Sequence, residues 1–307
     1  MVSGKELLNA LENVSLDSAN ATTEPLLHPD MTYVHHIWLT KKASSEDGES
    51  GVPEKFCGNV ASWSTGVPNC VQVEWLNTDA MSLVSKYRKA WFFYKQLKTP
   101  VERSDYLRML ILHQFGGVYV DIDMQALKNV VPYLDPTRPI NLLRSPLFTE
   151  MFQSCFLVSH KKNHPFWMEV ATRIEDNVTA ISSSKPDGLV GKLMCNPLTR
   201  YYTRMAMTVF LTGPATLDKC IANAHVKNMH IDAFSCLPAS LYRGPVAVHH
   251  EAASWTWLPA FLEAKLKIQN AFKINRFSFF GTLLAMWPTW IVVGAVVAAW
   301  WKAGGVY

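Results

Sequence analysis

The feature that most restricts the fold of this chain is the strip of residues 99–123, which begins with a strong helix signal. Thr99 and Glu102 form a capping box around Pro100, and proline is favoured at the first helical position. The strip therefore predicts a helix that begins at Pro100. Its predicted buried stripe consists of Leu107, Leu110, Ile111, Gln114 and Phe115.

Two glycines and an apolar strand follow the helix signal. Gly116 and Gly117 predict the end of the helix, because glycine adopts the left-handed conformation without steric cost. Residues 118–120 predict a short buried strand. Asp121 and Asp123 come next, and side chains two positions apart on a strand point to the same side. The strip therefore predicts a carboxylate pair at the carboxyl end of a strand.

A carboxylate pair in this position suits a hard divalent cation that also binds a diphosphate. The alternative is a solvated acidic turn, but the order of helix, glycines, strand and D-x-D favours the cation site. A phosphatase of the haloacid dehalogenase type requires threonine or valine two positions beyond the second aspartate, where this chain has Gln125. The sequence also lacks the local motifs of dinucleotide-binding proteins, P-loop proteins and serine hydrolases.

The strip resembles the D-x-D region of the glycosyltransferase family 32 type, which includes inositolphosphorylceramide mannosyltransferases and initiating α-1,6-mannosyltransferases. Other segments resemble the family in the family's order: residues 33–39 as the opening strand, Trp63 with residues 73–75 as the second strand, 155–160 and 164–167 after the D-x-D, 212–217 as the T-G-P block, and 249–255 as the closing H-x-x-x-S-W. One departure is Cys155-Phe156, where many members have asparagine and a small residue. The resemblance implies an α/β domain of the GT-A type that binds a nucleotide sugar on a mixed central sheet.

The resemblance also implies a metal site and catalytic residues. Asp123 is the expected primary ligand and Asp121 a donor contact partly through the metal or water. His250 is the candidate second protein ligand, with His249 as its competitor. The expected ion is Mn²⁺, with Mg²⁺ as the alternative. Asp121, Asp123 and Arg108 are the expected catalytic residues.

The donor-binding residues that the resemblance implies are Trp38, Asp105, Arg108, Asp121, Ser254 and Trp255. Asp105 and Arg108 would grip the donor hexose, although on spacing alone they would form an ordinary ion pair within the helix. Trp38 would pack against the nucleotide, and a core tryptophan is the alternative.

The composition predicts a membrane segment. Hydrophobic residues make up 49% of the 307-residue chain and charged residues 18%, against about 25% charged in typical soluble domains. Residues 277–301 contain no charge and are long enough to span a hydrocarbon core of about 30 Å. We expect one C-terminal transmembrane helix there, a buried core helix being the alternative. The expected order is an N-terminal extension (1–30), the GT-A domain (31–260), an amphipathic juxtamembrane linker (261–276), the span (277–301) and a short tail (302–307).

The expected function combines the resemblance with the span. It is a retaining hexosyltransferase, single-pass in the Golgi or endoplasmic reticulum, that moves mannose from GDP-mannose to a glycolipid such as inositolphosphorylceramide. The alternatives are a UDP-hexose donor with glycan or protein acceptors, and a catalytically silent membrane protein that binds nucleotide sugars. The chain has 29 basic and 25 acidic residues, so no nucleic-acid partner is expected. Six cysteines leave open either a disulfide, most simply between Cys57 and Cys70, or free thiols.

Overall fold

The computed structural model of the chain describes residues 1–16, 32–40, 51–144, 152–182, 208–226 and 231–250. The chain divides into two compact units, one of Met1–Glu175 with Gly213–His250 and one of Asp176–Thr212 with Glu251–Tyr307. In the described part of the second unit, Asn177 Nδ2 donates a hydrogen bond of 3.1 Å to the carbonyl of Leu211. The strands and helices named below belong to the first unit, apart from the end of the helix Pro165–Ser182.

Helices and strands alternate through most of the first unit. The described strands are β1 (Val2–Ser3), β2 (Thr32–Ile37), β3 (Cys70–Trp75), β4 (Gly117–Val120), β5 (Met124–Ala126), β6 (Ile140–Arg144), β7 (Phe152–Ser159), β8 (Phe234–Leu237) and β9 (Ala247–His249). The described α-helices are α1 (Gly4–Leu16), α2 (Glu54–Gly66), α3 (Asn77–Ser85), α4 (Arg88–Tyr94), α5 (Pro100–Phe115), α6 (Pro165–Ser182) and α7 (Pro214–Val226).

The central sheet has seven described strands in the order β1-β3-β2-β4-β7-β6-β8. The β1-β3, β3-β2, β2-β4 and β6-β8 pairs are parallel, whereas β7 runs antiparallel to both β4 and β6. The expected mixed α/β sheet is therefore confirmed. β5 and β9 form a separate antiparallel pair.

The first residues of the chain add an edge strand to this sheet. Val2 lies opposite Val73 of β3, and Leu7 and Leu8 of α1 are buried. A Cβ atom on Gly4 would lie closer than a van der Waals contact to the ring of Trp75. Residues 1–10, which lie in the expected N-terminal extension (1–30), therefore contribute an edge strand to the sheet and buried side chains to its core.

The order of the strands changes direction between β2 and β4. From β2 the chain passes through α2 to β3 on one side, and then returns through α3, α4 and α5 to β4 on the other side. Val34 and His35 of β2 pair with Val118 and Tyr119 of β4. In open α/β sheets, ligands bind beyond the carboxyl ends of the strands at such a reversal. This edge carries Asp121.

Helix α5 begins and ends where the sequence predicts. The Thr99 hydroxyl accepts from the Glu102 amide at 3.1 Å, and the Glu102 carboxylate accepts from the Thr99 amide at 3.1 Å. Gly116 and Gly117 have φ of 65° and 83°, and a Cβ atom on Gly117 would lie 2.5 Å from the Tyr33 carbonyl oxygen.

Burial of α5 extends well beyond the predicted stripe. Its buried residues are Asp105, Tyr106, Leu107, Arg108, Met109, Leu110, Ile111, Leu112 and Phe115, while Gln114 is only half-buried. The helix is covered on most of its circumference, so its hydrophobic periodicity alone understated its burial.

The expected second strand is correct for residues 73–75, which lie in β3, but Trp63 is not part of it. Trp63 lies in α2, is fully buried, and donates from Nε1 to the carbonyl of Met124 at 2.9 Å. It therefore connects α2 to the strand that follows the D-x-D.

In the part of the chain that the structure describes, no helix is long and apolar enough to cross a bilayer. The expected linker, span and tail at 261–307 lie outside the described residues and stay predictions. The alternatives for Cys57 and Cys70 were a disulfide or free thiols. In the structure both are free thiols.

Candidate active site

The two aspartates of the D-x-D lie on a tight turn rather than on a strand. β4 ends at Val120, and the amide of Asp121 donates to the Cys155 carbonyl at 2.9 Å. The amide of Met124 then donates to the Asp121 carbonyl at 3.0 Å, which closes the turn. Strand alternation is therefore not what brings the two carboxylates together. Each is held by a different part of the fold.

Tyr119 and Arg108 hold the Asp121 carboxylate. The Tyr119 hydroxyl donates to Asp121 Oδ1 at 2.6 Å, and Arg108 Nη2 lies 3.6 Å from the same oxygen. Burial, more than any other cause, raises the pKa of Tyr119 well above its ordinary value. The hydroxyl therefore stays protonated and remains a hydrogen-bond donor.

Arg108 is buried and its guanidinium is surrounded by groups of the protein. Nη2 forms an ion pair with Asp105 Oδ1 at 2.9 Å, and Nη1 donates to the Ser154 carbonyl at 2.6 Å. The guanidinium carbon lies 4.5 Å from the centre of the Tyr119 ring. Burial by itself would lower the pKa of Arg108, but Tyr119, Asp105 and Asp121 raise it above its ordinary value. Arg108 is therefore a permanent cation behind Asp121.

The two-stranded sheet of β5 and β9 brings His249 to Asp123. Met124 lies opposite His249 in this pair, and His249 Nε2 lies 3.2 Å from Asp123 Oδ1. The His249 ring stacks on the Tyr242 ring, with centroids 4.9 Å apart and planes inclined by 27°. The stack and the strand register together fix the imidazole beside the carboxylate.

Asp121, Asp123 and His249 form a group of potential metal ligands. One ligand atom from each lies within 4.8 Å of the others. Two carboxylates and an imidazole suit a divalent cation between the hard and borderline classes, and both Mn²⁺ and Mg²⁺ are compatible with the carboxylates. The residues present therefore fit a divalent metal ion.

His250, our first candidate for the third ligand, does not lie in this group. Its side chain is exposed, and Nε2 is 3.1 Å from Gln125 Oε1, while its backbone amide donates to the Asp123 carbonyl at 2.9 Å. The competitor, His249, occupies the place beside Asp123, because the register of β9 against β5 turns His249 toward Asp123 and His250 toward Gln125.

Trp38 immediately follows the carboxyl end of β2, at the reversal of the sheet. Its amide donates to the Trp75 carbonyl at 3.0 Å, and its half-buried ring lies 6.2 Å from that of Phe56. This position is compatible both with packing against a nucleotide and with a structural role. Ser254 and Trp255 lie outside the described residues, so their expected roles stay predictions.

Cys155, the departure from the family pattern, lies against the acidic pair. The residue is buried. Burial, followed by the charges of Asp121 and Asp123, raises the pKa of its thiol well above the ordinary value. Cys155 is therefore a neutral thiol, and its backbone carbonyl supports Asp121.

Sequence reasoning missed Tyr119 and Tyr242. Tyr119 had a usable signal, because it lies two positions before Asp121 and side chains at that spacing share a face of the strand. Tyr242 had no such signal, since it reaches His249 only through the folding of the loop before β9.

A comparison with protein families finds a match over the segment that contains the two aspartates. Residues 53–142 match the family model described as the glycosyltransferase sugar-binding region containing the DXD motif. The chain contains a DXD-type glycosyltransferase sugar-binding region. The match includes α5, β4 and both aspartates, and it ends before β9, so His249 enters the site from outside the region.

Curated relatives agree with the family 32 resemblance. Inositol phosphoceramide mannosyltransferase 3 of Schizosaccharomyces pombe is 25% identical over 147 residues, covering 46% of this chain and 36% of the relative. The mannosyl phosphorylinositol ceramide synthases SUR1 and CSH1 of Saccharomyces cerevisiae are 26% and 29% identical over 172 and 123 residues, covering 50% and 33% of this chain. The chain matches only 42% of SUR1 and 32% of CSH1. Together with the region match, these relatives support the resemblance to family 32.

Two solved glycosyltransferase structures have a partial likeness to this chain. The PaToxG glycosyltransferase is 14% identical with a TM-score of 0.45, and the match covers 95% of each chain. The ligand-free glycosyltransferase domain from the YGT toxin is 11% identical with a TM-score of 0.44, covering 73% of this chain and 82% of that one. At these values we base no assignment on them.

Proposed function

We propose that the chain is a metal-dependent, retaining hexosyltransferase with a GT-A type domain, which moves mannose from GDP-mannose to a membrane glycolipid. The observation that carries this proposal is the convergence of Asp121, Asp123 and His249 within 4.8 Å, in a chain that contains a DXD sugar-binding region. The three residues lie where the order of the sheet reverses, which is the expected position for a nucleotide.

The metal ion is Mn²⁺ in this proposal, held by Asp123, His249 and Asp121. When bound, such an ion neutralises charge that develops on a departing diphosphate. The protein supplies the orientation of the ligands. Tyr119 and Arg108 fix Asp121, and Tyr242 fixes His249. The metal-binding side chains are therefore in position before the substrate arrives.

The reaction breaks the bond between the anomeric carbon of the hexose and the β-phosphate oxygen. A new bond forms between that carbon and the acceptor hydroxyl oxygen, and the hydroxyl proton passes to the departing phosphate. Arg108, a permanent cation behind Asp121, adds positive potential on the side where negative charge accumulates. Stabilisation of the leaving group is therefore the main contribution of these residues.

The resemblance to family 32 implies retention of configuration, and we propose that retention occurs by front-face displacement. A double displacement needs a carboxylate nucleophile about 5 Å from a second carboxyl group at the sugar. Asp121 and Asp123 belong to the cation site, and Asp105 is ion-paired with Arg108 at 2.9 Å. These three carboxylates are therefore committed to other roles in the proposed mechanism.

The acceptor is a glycolipid such as inositolphosphorylceramide in this proposal. The relatives are named as an inositol phosphoceramide mannosyltransferase and two mannosyl phosphorylinositol ceramide synthases. Residues 277–301 carry no charge, which is compatible with a membrane-anchored enzyme of the Golgi or endoplasmic reticulum. A lipid acceptor is reached most directly by an enzyme held at the bilayer.

The experiment that tests this function is a donor screen on the full chain. Calorimetry with Mn²⁺ and GDP-mannose, UDP-glucose or UDP-galactose measures binding, and release of the nucleoside diphosphate measures turnover. GDP-mannose should bind and turn over, and Asp123→Asn should abolish the metal-dependent turnover while the protein stays folded. Asp232→Asn, at a side chain that is 89% exposed, is the matched control. Binding without turnover for every donor and acceptor would leave a silent nucleotide-sugar binder, and preference for a UDP-hexose would replace the mannose assignment.

A further inference from the structure

A basic and aromatic surface lies on α4 and the residues that flank it, outside the site described above. Residues 86–98 contain five lysine or arginine residues, and the sequence has no aspartate or glutamate between Asp79 and Glu102. Five aromatic residues occur in the same segment: Tyr87, Trp91, Phe92, Phe93 and Tyr94. We call the side chains of Lys89, Phe92, Lys95 and Lys98 the α4 surface.

The α4 surface is the outer face of an amphipathic segment. Ala90, Tyr94 and Leu97 are at most 3% exposed, and their spacing places them on one side of the helix and its continuation. Phe92 lies on the opposite side and is 64% exposed. Lys89 and Lys95, three positions before and after Phe92, are also exposed. A phenyl ring is thus presented outward between two cations.

The lysine chains lie along neighbouring rings. Lys95 Nζ is 4.6 Å from the centre of the Trp91 ring, and Lys89 Nζ is 5.7 Å from that of Phe93. Lys89 also forms an ion pair of 2.6 Å with Glu175, whose side chain is only 5% exposed. Glu175 therefore balances one of the three lysine charges of the α4 surface, and Lys95 and Lys98 keep the surface positive.

The buried side of the α4 segment contacts the first turn of α5. Arg103 Nε donates to the Leu97 carbonyl at 3.1 Å, and its guanidinium lies 5.5 Å from the centre of the Tyr94 ring.

We propose that the α4 surface docks on an anionic bilayer, with Phe92 entering the interface and the lysines facing lipid headgroups. An exposed aromatic residue flanked by cations at helical spacing is typical of interfacial segments, and anionic headgroups complement the positive charge. A nucleic acid fits less well, because the chain as a whole is nearly balanced at 29 basic and 25 acidic residues. The proposed surface is independent of the proposed function and of residues 277–301.

Hydrogen–deuterium exchange on the full chain tests this docking. The chain is reconstituted in phosphatidylcholine bilayers, with or without phosphatidylserine, so that any other membrane attachment is present in both samples. We expect the amides of residues 86–98 to exchange more slowly on the anionic bilayer, and the difference to disappear at high salt. Lys95→Gln and Lys98→Gln should each lower the ratio of docked to undocked protein about fivefold.

Matched controls separate the α4 surface from general effects of charge and hydrophobicity. Lys5→Gln and Lys161→Gln, at exposed lysines elsewhere, should leave the protection unchanged. Phe92→Ser should weaken the protection, whereas Val131→Ser, at a residue that is 44% exposed, should not. Equal exchange on the two bilayers would overturn the proposal. So would protection that depends on protein concentration rather than on lipid, which indicates a second copy, or protection by an oligonucleotide without lipid.

Discussion

The Tyr119 hydroxyl donates a hydrogen bond of 2.6 Å to Oδ1 of Asp121. Because burial keeps the pKa of Tyr119 well above its ordinary value, this donor is permanent, and it fixes one carboxylate oxygen. Asp123 is held separately, by His249 at 3.2 Å. The site therefore depends on two supports that lie far apart in the sequence.

Tyr119→Phe should weaken metal binding without unfolding the protein. The ring stays beside Arg108, but Asp121 loses its hydrogen bond, and loss of such an outer contact typically costs about 10- to 100-fold in metal affinity. Calorimetric titration with Mn²⁺ checks this, and Tyr133→Phe, at an exposed tyrosine, is the control. An unchanged dissociation constant would show that the hydrogen bond has no part in orienting the ligand.

Substitution of His249 and substitution of His250 should have clearly different effects on Mn²⁺ affinity. His249→Ala should lower Mn²⁺ affinity by roughly 100-fold or more, because it removes a ligand and its support for Asp123. His250→Ala should change the affinity far less, since that side chain contacts Gln125 at 3.1 Å. Parallel titrations of the two variants measure the difference. The reverse order would return the ligand role to His250.

Arg108→Met should destabilise the fold strongly. It leaves the carboxylate of Asp105 buried without its partner, which costs about 3–5 kcal/mol. Arg103→Met on the same helix, at a half-buried arginine, should cost less than about 1 kcal/mol. Urea unfolding monitored by circular dichroism gives both values. Asp105→Asn combined with Arg108→Met should recover part of the loss, and no recovery would argue against the buried pair as its cause.

Two buried histidines should make the protein sensitive to acid. Burial lowers the pKa of His35 to about 3 and that of His36 to about 4, against about 6.5 in an unfolded chain. Below about pH 6.5 the unfolded state binds more protons than the folded state, so the free energy of unfolding falls as the pH falls. Each histidine should contribute about 1.4 kcal/mol per pH unit between about pH 6 and its folded pKa.

His36→Gln should remove the contribution of His36 to the pH dependence of the free energy of unfolding. Urea unfolding at several pH values between about 4.5 and 7 measures the change, because that interval brackets the unfolded histidine pKa. His250→Gln, at an exposed histidine, serves as the matched control. A wild-type slope in His36→Gln would show that His36 is not the buried group being protonated.

Local sequence signals predicted the central strip well. The bounds of α5 followed from Thr99, Pro100 and Glu102 together with two glycines, because capping and backbone conformation are local properties. Burial on nearly all sides of α5 did not follow, since it depends on strands that are distant in sequence. Trp63 was assigned to a strand from the resemblance to the family's second strand, whereas the structure has it in α2.

The acidic pair, the strand before it and the family 32 resemblance are evident from the order of residues along the chain. Which histidine joins the pair is settled only in the folded protein, because that choice rests on the pairing of Met124 with His249, between segments more than a hundred residues apart. The register of two strands is set by the packing of their side chains and cannot be read from either strand alone. The same holds for Arg108, whose environment is assembled from α5, β4 and β7.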